Sequence, residues 1–250
     1  MDLEEINTLA QLKENFADHL PKHIGLILDG NRRWIRRQGI KDVRKGHIAG
    51  YKRLKKILNP FFEAGIHYLS AYALSTENVK KRSEKEVRAL FKLILRGVDD
   101  VIKEPLIHDK KVKVRLIGHL SKLPKDIQDA IAKMNKETDK YNQNFINFCV
   151  MYDGQEELVE AVKNIAQNQI PPEKITKQTI KDHLFSNKFP ELDYIIRTGM
   201  EDGARISGFL LWDASYAEFR FREDLWPDYN EVMILEDLKE YISRNRRKGA

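Results

Sequence analysis

The segment Asp29-Gly30-Asn31-Arg32-Arg33-Trp34 sets one carboxylate inside a cationic turn. A Gly-Asn turn that opens a basic helix presents backbone N–H groups to an anion, and the positive end of the helix dipole adds to that attraction. Arg33 can make a forked contact with phosphate oxygens. Asp29 is anomalous among these cations unless a metal ion stands between it and a phosphate. Mg²⁺, held by one or two carboxylates plus substrate phosphates, is that kind of ion. An Asx-type turn with a solvated helix end explains the same residues without a ligand.

Further along, Ser75-Thr76-Glu77-Asn78 follows an apolar run, as a reactive loop or as a simple helix cap. Arg197-Thr198-Gly199 leads through a polar loop to Arg205-Ile206-Ser207, either a second anion site or a solvated connection. Glu218 is a carboxylate in an otherwise apolar and aromatic stretch, placed to pair with an Arg or to complete a metal site. His47 sits in Arg44-Lys45-Gly46-His47, where basic neighbours are expected to lower its pKa and keep it neutral. A surface or capping role is the commoner fate of a lone histidine.

These groups need a scaffold that gathers them. Strand-like apolar runs cover His23–Leu28, Tyr68–Leu74, Val112–Ile117, Phe145–Tyr152, Tyr194–Ile196 and Phe209–Trp212, with Glu218–Phe221 as an extra edge. Between them, Tyr51, Leu54, Leu58 and Phe61 recur at helical spacing, as do the apolar residues of Glu86–Ile102. Leu123-Pro124 opens a third helix, and Glu156–Ala166 and Asn230–Ser243 supply two more. Buried strands alternating with helices imply one α/β domain spanning residues 1–250 around a mostly parallel sheet. Ligands of such sheets bind beyond the carboxyl ends of the strands, where the polar segments above fall.

Composition narrows the class. The chain has 250 residues, 42% hydrophobic and 33% charged, which excludes a disordered or collagenous chain. Its 44 Lys and Arg against 38 Asp and Glu give a net charge of +6, favouring an anionic partner. Cys149 is the only cysteine, so an internal disulfide is impossible and a reducing compartment fits. No run approaches the ~20 apolar residues of a membrane span. The acidic start Met1-Asp2-Leu3-Glu4-Glu5 lacks a signal peptide's order. A cytoplasmic protein is expected, with any membrane contact peripheral on the inner face. Walker-type loops, GxGxxG, GxSxG, HExxH and a DDxxD pair are all absent.

Taken in order, five segments resemble the cis-prenyltransferase family, the undecaprenyl and dehydrodolichyl diphosphate synthases. They are His23–Trp34, Gly46–Gly50, Leu74–Asn78, Asp193–Gly199, and the Phe209–Trp212, Tyr216–Glu218 and Leu225–Asp228 cluster. The similarity runs from about Pro21 to Tyr229. It implies a six-stranded parallel sheet, a homodimer, and repeated addition of isopentenyl diphosphate to an allylic diphosphate primer with Mg²⁺. By the same resemblance, Asp29 and Asn78 are catalytic, and Asp29 and Glu218 hold the metal. Gly30, Asn31, Arg32 and Arg33 cradle the allylic diphosphate, with Trp34 beside them. Arg197, Arg205 and Ser207 take the isopentenyl diphosphate. His47, Ser75, Thr76, Glu77, Val79, Lys81 and Ile206 complete the implied substrate site. The Glu86–Ile102 helix is the expected wall of an apolar tunnel for the growing chain.

Arg32, Val79 and Lys81 resemble archaeal and eukaryotic members more than bacterial ones, which points to geranylgeranyl diphosphate as primer and to a glycosyl carrier lipid as the eventual product. Two other classes compete. A non-catalytic partner subunit of the same fold typically lacks the Asp-Gly-Asn motif that this chain keeps. A nucleic-acid-binding protein would need a recognisable motif or a basic stripe, and the Lys and Arg residues here are spread along the chain; no nucleic-acid partner is expected.

Overall fold

The computed structural model describes residues 2–201 and 203–244. In chain order its first half comprises α1 (Leu9–Phe16), β1 (His23–Ile27), α2 (Asn31–Arg37), α3 (Val43–Glu63), β2 (Tyr68–Ser75), α4 (Thr76–Lys81), α5 (Glu84–Lys103) and α6 (Pro105–Asp109). The second half comprises β3 (Val112–Ile117), α7 (Lys125–Thr138), β4 (Asn144–Tyr152), α8 (Gly154–Gln167), α9 (Lys177–His183), β5 (Tyr194–Arg197), β6 (Glu218–Phe221) and α10 (Glu231–Ser243). The strands form one sheet in the order β3-β4-β2-β1-β5-β6, and every strand pairing among the described residues is parallel.

Alternation along the strands divides the core between two faces. Ile24, Leu26, Ile146, Val150, Tyr194 and Ile196 join the larger cluster, shared with α1, α3, α5, α7 and α10. Ile27, Cys149 and Ile195 point the other way, into a smaller cluster with Phe209, Leu210 and Ala214. Gly25 belongs to that second face, because a Cβ there would stand 2.7 Å from the Phe209 ring. No helix among the described residues is long and apolar enough to cross a membrane.

One expected strand is not a strand. Phe209–Trp212 lies in a run of turns from Ser207 to Tyr216, and the sixth strand is Glu218–Phe221. Ser207, Gly208 and Leu210 have φ of 50°, 75° and 44°, and this repeated left-handed backbone turns the chain instead of extending it. The segment is apolar because it packs beneath the sheet: Phe209 and Leu210 are buried.

The strand order puts a switch point between β1 and β5. The chain moves from β1 to β2 on one side and later returns to place β5 on the other. The crevice at that point, outside the carboxyl ends, is the general ligand position of such sheets. Ile27 pairs with Tyr72 on one side and Arg197 on the other, so β1 and β5 end at one level while β2 runs three residues further, to Ser75.

Candidate active site

The turn after β1 is held from several directions. Gly30 has φ of 105°, and a Cβ on it would meet Leu225 at 2.9–3.1 Å, so a side chain is excluded on both counts. Gly46 and Gly50 let α3 press against α2. A Cβ on Gly46 would lie 2.5 Å from the Asn31 carbonyl, and one on Gly50 2.1 Å from Asn31 Oδ1. The Gly-x-x-x-Gly spacing in the α3 motif therefore exists to seat Asn31. The Asn31 Nδ2 donates to the Leu28 carbonyl at 2.9 Å, which closes the turn over Asp29.

Arg197, at the end of β5, is the organising cation. Its side chain is 7% exposed. Nη2 donates to Asp29 Oδ2 at 3.0 Å, while Nη1 donates to the Arg205 carbonyl at 2.7 Å and to Ser207 Oγ at 2.9 Å. The Arg197 Nε and Asn31 Oδ1 are buried polar atoms with no hydrogen-bond partner. The unpaired donor Nε, on a residue that lines the cavity, suits an acceptor oxygen of a ligand, whereas Asn31 Oδ1 is an acceptor packed against Gly50.

Across the crevice, Ser75 caps α4 through the Asn78 N–H and also accepts from Asn78 Nδ2 at 2.6 Å. Capping and site placement thus coincide in one residue. Beside them His47 Nε2 lies 3.1 Å from Glu86 Oε1. A carboxylate can only accept, so Nε2 carries the proton. Burial draws the His47 pKa below its ordinary value; Glu86 opposes this, and Arg82 and Arg32 add to the lowering.

These groups converge on one cavity of ≈ 500 Å³. Of the residues expected from sequence, Asp29, Asn31, His47, Ser75, Glu77, Asn78, Arg197, Arg205 and Ser207 line it. From that charged end the cavity continues between α3, α5 and the sheet, past Leu54, Leu58, Leu90, Ile94, Val98 and Phe148. The α5 helix is thus a wall of an apolar extension.

Other expected residues stand elsewhere. Arg33 is turned toward the Gly199 carbonyl and lies 3.4 Å from Glu201 and 3.7 Å from Asp29. Trp34 donates to Asp228 at 2.7 Å and helps to hold the turn from outside. Arg32 is exposed, Thr76 is buried, and Val79 packs against the main core. Ile206 packs on the smaller cluster.

Two expectations need correction. Lys81 points to solvent and pairs with Glu77 at 2.5 Å; its neighbour Arg82 lines the cavity instead, with its side chain 18% exposed and 3.6 Å from Glu86. Burial lowers the Arg82 pKa, which Glu86 and Asp29 counter and Arg32 reinforces. Glu218 does not join Asp29. It opens β6 opposite Tyr194, three positions before the level of Arg197, and its carboxylate accepts from Arg244 at 2.9 Å. That is roughly 10 Å short of the strand ends at ~3.3 Å per residue, so within this chain Glu218 stands away from Asp29 and is engaged by Arg244.

Among the described residues, no cluster of three or more His, Cys, Asp or Glu side chains could hold a metal by itself. A lone carboxylate facing cations suits an ion whose remaining ligands arrive with the substrate, as Mg²⁺ does with phosphates. The arrangement as a whole can hold two anionic head groups around Asp29 and lay a hydrocarbon along α5.

The sequence profile of the prenyltransferase family described as undecaprenyl diphosphate synthase matches residues 27–249. A tritrans,polycis-undecaprenyl-diphosphate synthase (geranylgeranyl-diphosphate specific) of Methanocaldococcus jannaschii is 39% identical over 238 residues, covering 93% of this chain and 84% of its own. The protein of the same description from Pyrococcus horikoshii is 38% identical over 234 residues, covering 92% and 87%. Among solved structures, lavandulyl diphosphate synthase from Lavandula x intermedia, in complex with dimethylallyl diphosphate, superposes with a TM-score of 0.85 at 31% identity, over 92% of this chain and 98% of that one. A probable undecaprenyl diphosphate synthase from Campylobacter jejuni gives 0.75 at 27% identity, over 92% and 99%.

Proposed function

This chain belongs to the undecaprenyl diphosphate synthase family of prenyltransferases, and from that premise we propose that it condenses isopentenyl diphosphate repeatedly onto geranylgeranyl diphosphate. The product is a long-chain polycis-polyprenyl diphosphate, the precursor of a glycosyl carrier lipid. One observation carries the reading: a single cavity joins a cationic, Asp29-centred head to an apolar body walled by α5. Two diphosphates and one growing hydrocarbon need that combination.

In this reading Arg197, Arg205 and Ser207 bind the isopentenyl diphosphate, and the orphaned Arg197 Nε donates to one of its oxygens. The turn at Gly30–Arg33, together with Arg82, faces the primer's diphosphate. Arg33 reaches it on giving up its contact with Glu201. Asp29 would hold Mg²⁺ together with substrate oxygens, and the ion, when bound, stabilises negative charge on the departing diphosphate. Arginine side chains do the same from the other side, more strongly as the bond to carbon breaks than before it. Asn78 is oriented by Ser75; a carboxamide is a weak base, so its role is to position the proton that leaves the isopentenyl carbon or relay it to the released diphosphate. His47 stays neutral and keeps Glu86 in register. Fixing both reactants in one cavity at this end of the sheet supplies the proximity that the carbon–carbon bond needs.

A homodimer and peripheral membrane contact belong to the same proposal. Val159 and Val162 on α8 and Tyr216 are large, exposed apolar residues, as a dimer interface would require. An outer groove between α3 and α5 carries Arg44, Lys85, Arg88, Lys92 and Arg96, suited to acidic headgroups. The proposal is tested by supplying purified protein with isopentenyl diphosphate, Mg²⁺ and primers of ten, fifteen or twenty carbons. Long products that form best from the twenty-carbon primer support it. Preference for the fifteen-carbon primer would remove the primer assignment.

A further inference from the structure

The apolar body of the cavity is interrupted at one place. Tyr51 and Lys55 on α3, and Asp100 and Glu104 at the far part of α5, all line it. Tyr51 Oη donates to Asp100 Oδ2 at 2.6 Å; Lys55 Nζ lies 2.5 Å from Glu104 Oε2 and 3.7 Å from Asp100 Oδ2. The neighbours here are Leu54, Leu58, Val101 and Ile107, so nothing else in this stretch calls for ionic groups. Side-chain exposures of 38% for Lys55 and 31% for both carboxylates set the cluster in the wall between cavity and solvent. It is not needed to hold the diphosphate end, where His47 and Glu86 already join the same two helices. Between the two joints the wall is thin, since Leu93 lines both the cavity and the outer basic groove.

We propose that the Lys55–Glu104 and Tyr51–Asp100 pairs form a latch across the α3–α5 seam that limits how far the prenyl chain can grow. This rests on the prenyltransferase reading above. Each condensation at the diphosphate end pushes the older end of the chain five carbons deeper. While that end meets apolar side chains, each step gains burial. On reaching the latch it meets half-buried charges that it cannot solvate. Passing outward would pull Lys55 from Glu104 and Asp100 and lay hydrocarbon against these part-exposed charges, taking from them the water they now reach. Growth then stalls and the product leaves. Neutralising the latch leaves a seam that hydrocarbon can enter.

The test uses the full chain with isopentenyl diphosphate, Mg²⁺ and the twenty-carbon primer, and sizes the dephosphorylated products. Glu104→Gln keeps shape and removes charge; Lys55→Met keeps length and removes charge. Both are expected to move the product distribution to longer chains by at least one isoprene unit, with the rate of the first condensation within about twofold of the parent. The swap Lys55→Glu with Glu104→Lys restores the pair and is expected to return the parental distribution, which a merely structural role would not do. Thermal melting of each variant monitors the fold, and the near-isosteric Glu104→Gln keeps the test alive if Lys55→Met fails to fold. Unchanged or shortened products from active variants would overturn the latch alone. Absence of any prenyl product from the parent chain would instead overturn the reading beneath it.

Discussion

Replacing Arg197 by Lys keeps the charge and removes the fork. The guanidinium reaches Asp29 through Nη2, and the Arg205 carbonyl and Ser207 Oγ through Nη1. A lysine ammonium is a single point on a flexible stem and serves one of these directions, so at least one set of contacts is lost. Hydrogen bonds to charged groups are worth ~1.5–3 kcal/mol each. Two lost at the low end amount to ~3 kcal/mol, or roughly 150-fold at ~1.36 kcal/mol per decade of rate. The expected result is a fall of at least ~100-fold in kcat/KM for isopentenyl diphosphate. Arg205→Ala should cost about tenfold, because the exposed Arg205 side chain goes but the carbonyl that anchors Arg197 stays. Initial rates at subsaturating isopentenyl diphosphate, with a melting curve for each variant, measure this. A Lys variant within fivefold of the parent, or an ordering with Arg205 the more damaging, would refute the claim that Arg197 organises the site.

Asp29→Asn is expected to abolish measurable turnover at saturating Mg²⁺ while the melting temperature stays near that of the parent, because it removes the carboxylate that faces Arg197 at the charged end of the cavity; near-native rates would oppose the assignment. Gly50→Ala should destabilise by ~1–3 kcal/mol and raise the KM for the primer, since its Cβ would stand 2.1 Å from Asn31 Oδ1 and displace the turn over Asp29; chemical denaturation and steady-state kinetics check both. His23 is buried between Ser70 and Pro190, and burial pushes its pKa from 6.5 to about 4. The unfolded chain therefore takes up the proton first. The stability this contributes is complete above pH 6.5 and is lost as pH falls toward 4, by ~3 kcal/mol in all. Urea melts at pH 7 and pH 4.5 should show that slope, and His23→Gln should flatten it.

The central strands were legible because β1 and β5 are buried along their whole length, and β1 stands out as an unbroken apolar run; the edge strands Val112–Ile117 and Glu218–Phe221 interleave charged residues, yet have the bounds read from sequence. The same signal misled at Phe209–Trp212, where apolarity comes from packing under the sheet and the chain runs through successive turns. The N-terminal helix α1 went unread because it is eight residues long, although Ile6, Leu9, Leu12 and Phe16 recur at helical steps onto the core. At the site, Asp29 and Arg197 were found because each directly follows or ends a strand in the middle of the sheet. Arg82 was not, since a one-residue difference in where α4 ends decides whether Lys81 or Arg82 turns inward. Its basic character beside the Ser83 cap of α5 was the available signal. The distance of Glu218 from Asp29 was hidden for a related reason: composition cannot say at which end of a four-residue strand a carboxylate lies.

The central claim is that Asp29, Arg197 and the α5-walled cavity together carry out prenyl chain elongation. The most direct measurement incubates the purified chain with labelled isopentenyl diphosphate, Mg²⁺ and the twenty-carbon allylic primer, then separates the dephosphorylated products by length and determines their double-bond geometry. A ladder ending in long chains, with every newly made double bond cis and none formed by Asp29→Asn, is the predicted result. Label that never enters chains longer than the primer, or chains extended equally by Asp29→Asn, would contradict it.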